Sequence, residues 1–136
     1  MRSAMVTEFM RAFNAPRDLE TNVRGLNEEL VEFEAALENL LKEACDVLYC
    51  SYCVGASRTP DGKPGKVDAT TVAAIKRVLE ITDGLFGDAV FKEAFARVHA
   101  SNMSKRGPNG EIERHPWGKI AKGPFYQPPV LHDLVT

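Results

Sequence analysis

Residues 26–54, LNEELVEFEAALENLLKEACDVLYCSYCV, decide how this chain is read. The first part is one-sided: Leu26, Leu30, Phe33 and Leu37 recur at helical spacing, with glutamates between them. From Leu40 the character changes. Leu40, Leu41, Ala44, Cys45, Val47, Leu48 and Tyr49 surround Glu43 and Asp46 on almost every side. A helix that is apolar nearly all round is a buried one, so Glu43 and Asp46 are expected in the interior, where carboxylates need a partner. Lys42 or a distant arginine would serve, and so would a metal ion. Two helices are predicted, from about Asp18 to Leu37 and from Leu40 to Ala56, with a very short connection around Leu37–Leu40.

Outward from this stretch the pattern stays helical. Residues 3–14 place Met5, Phe9 and Phe13 on one face, and Asn14-Ala15-Pro16 ends that helix because a residue before proline avoids helical geometry. Arg58–Lys66 holds two prolines and two glycines and reads as a loop. Asp68 is an N-cap candidate for a helix to about Leu85. Gly87-Asp88 breaks it, and a further helix runs to about Ser101. Beyond Asn102 the periodicity stops, and Pro108, Pro116, Pro124, Pro128 and Pro129 forbid a long helix. Trp117, Phe125, Tyr126 and Leu131 supply apolar anchors, so an ordered arm is expected, with a short hairpin near 111–122. The fold class is all-α: an antiparallel bundle of about five helices in a single domain, 1–136, with a helical body 1–101 and a C-terminal arm 102–136.

Charge and cysteine usage narrow the function. A net charge of −2 gives no pull toward a nucleic acid polymer or an anionic membrane. The distribution is lopsided: ten acidic and five basic side chains from Met1 to Cys50, against two acidic and six basic from Arg97 to Lys122. A site that holds a divalent metal with one part and phosphate with another needs such a division. Cys45, Cys50 and Cys53 are too few and too clustered for a disulfide framework and suit a reducing compartment. The start carries no signal-peptide pattern, and no run reaches the roughly 20 apolar residues of a membrane span. A cytoplasmic location is the expectation.

The acidic residues fall in a pattern. Glu28-Glu29-x-x-Glu32 stands on one predicted helix and Glu43-x-x-Asp46 on the next. Residues three apart on a helix project to the same side. A hairpin symmetric about position 37.5 sets Glu32 against Glu43 and Glu29 against Asp46, so that four carboxylates converge. Left alone they repel. Magnesium prefers oxygen ligands and bridges carboxylates to substrate phosphates, and one or two ions would fit the two pairs. Glu28 is adjacent but rotated by about 100°, in a position to orient or deprotonate a water. A solvated acidic surface is the bland alternative for Glu28, Glu29 and Glu32; the apolar surroundings of Glu43 and Asp46 argue against it.

The Glu-Glu-x-x-Glu and Glu-x-x-Asp pair resembles the MazG-like superfamily of all-α nucleoside triphosphate pyrophosphohydrolases. His99-Ala100-Ser101-Asn102-Met103-Ser104-Lys105, then Gly118-Lys119-Ile120-Ala121-Lys122-Gly123-Pro124 and Tyr126, is similar to the tail of its small phage-type members. The opening Val6-Thr7-Glu8-Phe9, with Phe13 and Arg24, is similar too. The resemblance implies a (d)NTP diphosphohydrolase that releases (d)NMP and pyrophosphate. It implies metal ligands at Glu29, Glu32, Glu43 and Asp46, and catalytic roles for Glu28 and Glu29. Asn102, Lys105, Lys122 and Tyr126 would reach the triphosphate; Phe9, Phe13 and Asn14 are candidate walls of a base pocket, apart from what the resemblance implies. The resemblance implies one to three Mg2+ ions per site, with Mn2+ as a substitute, and a homodimer or homotetramer. Members of the phage branch that remove dGTP are compatible with this sequence, which would then work in a host cytoplasm. Phosphoribosyl-ATP and dUTP are the next substrates to weigh, and a non-enzymatic helical interaction module is the alternative of another class. The sequence departs from the family pattern in a shorter turn between the carboxylate pairs and in Met10, where many relatives carry histidine.

Other signals carry less. Cys50-x-x-Cys53 lies mid-helix among aromatics, not at a helix start after a strand, and reads as structural thiols. No Gly-Lys pair is followed by Ser or Thr, so a P-loop is absent. His99, His115 and His132 lack the Glu-x-x-His spacing of di-iron helical proteins.

Overall fold

A computed structural model describes all residues 1–136. It is all-helical, with α1 at Arg2–Ala12, α2 at Leu19–Ala56, α3 at Ala69–Phe86, α4 at Asp88–Met103 and α5 at His132–Val135. The two helices predicted on either side of Leu37–Leu40 are one, the 38-residue α2. The physical reason is local. No proline or glycine stands between Leu26 and Val54, leucine and glutamate are good helix formers, and Asn39, the one weak helix former between Leu37 and Leu40, costs only about 0.7 kcal/mol against alanine. The change in apolar pattern near position 38 marks a change of surroundings, not a turn. The fifth helix is the single turn α5 inside the arm.

Contacts divide the chain into two compact units, Met1–Ala35 and Ala36–Thr136, with the division inside α2. In the first unit the Asp18 carboxylate accepts from the Thr21 N–H at 2.8 Å at the start of α2. That bond holds the Asp18 pKa below its ordinary 3.8. Phe9 and Phe13 lie with ring centroids 5.0 Å apart, and Asn14 turns the chain with a φ of 46°. No residue of this unit is buried.

The second unit has the core. Leu41 and Cys45 of α2 pack with Ala94 and Val98 of α4 and with Leu131 of the arm, flanked by Phe86, Val90, Phe91 and Phe95. Asp68 caps α3 by accepting from the Thr71 N–H at 2.8 Å, as its sequence position predicts. The arm is ordered and docked. Ser101 donates to the Gln127 carbonyl at 2.6 Å, and the Gln127 N–H donates to the Ser104 hydroxyl at 2.9 Å. Arg97 grips Asp133 at 2.6 and 3.0 Å, and the Leu131 N–H donates to Glu38 at 3.2 Å. Of the four predicted anchors, Leu131 alone is fully buried; Trp117 and Phe125 remain 74% and 58% exposed. The 111–122 segment turns back on itself through an antiparallel bridge between Arg114 and Ile120. No helix is long and apolar enough to cross a membrane.

Candidate functional site

One cavity of about 610 Å3 in the second unit gathers the residues with chemistry. Its acidic wall is Glu43 and Asp46 on α2. Three residues apart on a helix, they face one side. They are not interior carboxylates, as the apolar sequence around them suggests. Their side chains are 59% and 37% exposed, because α2 buries only Leu41, Ala44 and Cys45. Lys42 bridges them, with Nζ 3.3 Å from Glu43 and 2.8 Å from Asp46. The hydrogen bond to Asp46 holds the Lys42 pKa above its ordinary 10.5, against the opposing effect of desolvation.

The basic wall comes from the end of α4 and from the arm. Asn102 stands in the last turn of α4 and Lys105 just past its end, while Lys119, Lys122 and Tyr126 come back from the arm. Gly123 explains how the two segments meet: a Cβ there would run into the Lys105 carbonyl oxygen. Only glycine allows that approach, which sets Lys122 beside the end of α4. Lys122 lies 4.8 Å from the Tyr126 ring centroid, a cation–π distance. Behind them Tyr49 and His99 share a 3.0 Å hydrogen bond.

Six of the residues singled out from sequence thus line a single cavity: Glu43, Asp46, Asn102, Lys105, Lys122 and Tyr126. Lys119 joins them without having been assigned a role; its place in the Gly118–Pro124 motif was the available signal. The others do not line it. Glu28, Glu29 and Glu32 are exposed on the first-unit part of α2, with Glu28 paired to Arg24 at 3.3 Å. Phe9, Phe13 and Asn14 belong to the first unit as well. The hairpin pairing of Glu29 with Asp46 and Glu32 with Glu43 is corrected by the continuous α2, since the paired residues stand 17 and 11 positions apart on one helix with no turn to bring them together. Nowhere in the chain do three or more His, Cys, Asp or Glu side chains come together as a metal-holding group.

With four lysines to two carboxylates, the cavity is net positive and suits an anion. The pair Glu43 and Asp46 also fits a single hard divalent ion, since magnesium is commonly held by one or two carboxylates and completed by water and substrate phosphate. Lys42, a flexible ammonium between the two, already occupies the spot where positive charge is favoured. No protein-family model, curated protein or solved structure matches this chain.

Proposed function

We propose that this protein is a divalent-metal-dependent diphosphohydrolase of (deoxy)nucleoside triphosphates, releasing (d)NMP and pyrophosphate, of the MazG-like kind its sequence resembles. One observation carries the reading: residues far apart in sequence, in separate motifs assigned to metal and to phosphate, line one cavity. Glu43 and Asp46 would hold Mg2+ or Mn2+, with Lys42 swinging aside. The ion, when bound, supplies Lewis-acid polarisation of a phosphoryl oxygen. Lys105, Lys119 and Lys122 neutralise the polyphosphate, and Asn102 and Tyr126 donate hydrogen bonds that orient it. The oxygen of a water bonds to phosphorus, the anhydride link between the α- and β-phosphates breaks, and pyrophosphate leaves. The water's proton passes to a carboxylate or to solvent.

The test is a panel of all common dNTPs and NTPs with Mg2+ or Mn2+, products resolved by chromatography. Monophosphate plus pyrophosphate, abolished by a chelator, is the expected result, with dGTP ranking first if the phage-branch likeness extends to the base. Asp46→Asn should lower kcat on the order of 100-fold or more with helix content retained. Release of orthophosphate, or no turnover of any nucleotide, would sink the proposal.

A further inference from the structure

Three turns of the second unit are built to one plan. Thr59-Pro60-Asp61-Gly62-Lys63, Gly107-Pro108-Asn109-Gly110-Glu111 and His115-Pro116-Trp117-Gly118-Lys119 share proline in the second place and glycine in the fourth. In each, the N–H of the first residue donates to the carbonyl of the fifth at 2.8–2.9 Å. The glycine N–H donates in turn to the carbonyl of the first at 2.8–3.0 Å. The glycines have φ of 80°, 79° and 95°, the left-handed conformation in which a three-residue hairpin loop ends. Proline and glycine account for the turns, and the third place is free to vary.

What stands there differs. Asp61 accepts from the Thr59 hydroxyl and pairs with Lys63 at 3.5 Å, so it serves its own turn. Asn109 is an ordinary turn residue. Trp117 is not, and it is the only tryptophan of the chain. It is 74% exposed, with the His115 ring 6.0 Å away and 15° from parallel, and the Lys119 ammonium 5.7 Å from its centre. A lone exposed aromatic needs no occupant in itself; its neighbours give it one. Lys119 lines the cavity, and so does Ile120, which is 43% exposed on the same hairpin. Arg114 ties that hairpin together through the Gly118 carbonyl at 3.2 Å and the bridge to Ile120. The tryptophan ring thus stands one side chain from the basic wall. A ligand that places phosphate among Lys105, Lys119 and Lys122 and carries a flat aromatic group one sugar away is a nucleotide.

We propose that Trp117 is the platform on which the nucleobase of the substrate stacks. The inference rests on the phosphate-binding reading of the cavity above, and assigns the base to the arm instead of to Phe9, Phe13 and Asn14. With polyphosphate in the cavity, the Lys119 ammonium turns from the ring to the phosphate, and the face it leaves takes the base. Stacking accepts every base, because each has a π-face. The platform therefore favours the larger purines over pyrimidines only modestly, and selection of a single base falls to hydrogen bonds.

A chain with one tryptophan carries its own probe. Trp117 emission is excited at the red edge of its absorption, with free tryptophan amide correcting for nucleotide absorbance. It is followed as a dNTP with a methylene α–β bridge is added with Mg2+. Inorganic tripolyphosphate, which has no base, is the second titrant, and calorimetry measures both affinities independently. The nucleotide should quench saturably at its calorimetric midpoint. Trp117→Ala, at an exposed turn position and checked for fold by circular dichroism, should bind the nucleotide about 10-fold more weakly and tripolyphosphate as the wild type does. Trp117→Phe should restore most of the loss. Unchanged nucleotide affinity in Trp117→Ala, or equal weakening of both ligands, would overturn the platform. If Lys122→Ala still weakens both ligands, the cavity reading survives that failure. No binding of any nucleotide by the wild type would overturn both. Quenching and the Trp117→Ala loss without turnover of natural nucleotides would keep the platform and remove the proposed hydrolysis.

Discussion

The same helix, α2, lives in two settings. Its first part, up to Ala35, belongs to a unit with no buried residue, while from Ala36 it belongs to one whose core it helps to build. Backbone propensity is much alike in both; the difference is what packs against the side chains. Leu30 and Leu41 illustrate it, one 51% exposed and the other fully buried. Helical structure in the first unit rests on local bonds and caps, and in the second on tertiary burial, which in folded proteins is the larger source of helix stability.

The largest expected effect separates the units by stability. Leu131→Ala, at a residue 1% exposed, should cost about 2–5 kcal/mol in chemical denaturation. Leu30→Ala, at a residue 51% exposed, should cost under about 0.5 kcal/mol. Equal losses at both positions would break the contrast. Thiol chemistry sharpens it within the second unit. Burial, with a smaller contribution from the Asp46 charge, pushes the Cys45 thiol up to about 11, while Cys50 and Cys53 are exposed. At pH 8 only about one Cys45 in a thousand is a thiolate. A disulfide reagent should therefore titrate two thiols in the native protein and the third on the order of 100-fold more slowly, until denaturant exposes it.

How far the sequence revealed this arrangement depends on which signal each element carried. The ends of α1, α3 and α4 were legible because each has a chemical mark: Pro16 after the first, the Asp68 cap, and Gly87 between the other two. The unbroken α2 was not. Its apolar pattern shifts from one face to nearly all round, and that shift imitates a boundary although Leu37–Leu40 contains no breaker. The single turn α5 is too short for periodicity to register. Asn102, Lys105, Lys122 and Tyr126 were readable as a group because they sit in two compact motifs. Their meeting with Glu43 and Asp46 depends on the close approach at Gly123, which a linear pattern cannot express. The depth of Glu43 and Asp46 was misjudged for a related reason, since a run of apolar neighbours says little about which side of a helix a cavity opens on.

The smallest effect concerns the arm. The hydrogen bond from Arg97 holds the Asp133 carboxyl below its ordinary 3.8. A carboxyl whose pKa falls on folding contributes stability that is complete above the unfolded value and fades as pH drops through the lowered folded value. Docking of residues 127–135 should thus be constant from about pH 5 upward and loosen in acid below 3.8, seen as faster amide hydrogen exchange. Asp133→Asn should remove that acid dependence. The pair is exposed enough that global stability hardly changes.

The most direct measurement of the central claim is calorimetric titration with a dNTP whose α–β bridging oxygen is replaced by methylene, so that binding is read apart from turnover. With Mg2+ present, the cavity account predicts saturable binding, weakened at least 10-fold by Lys122→Ala and at least 10-fold by Asp46→Asn, the latter loss appearing only when the metal is there. Binding that is unchanged in both variants would contradict it, because the analogue would then be held by some other surface of the protein.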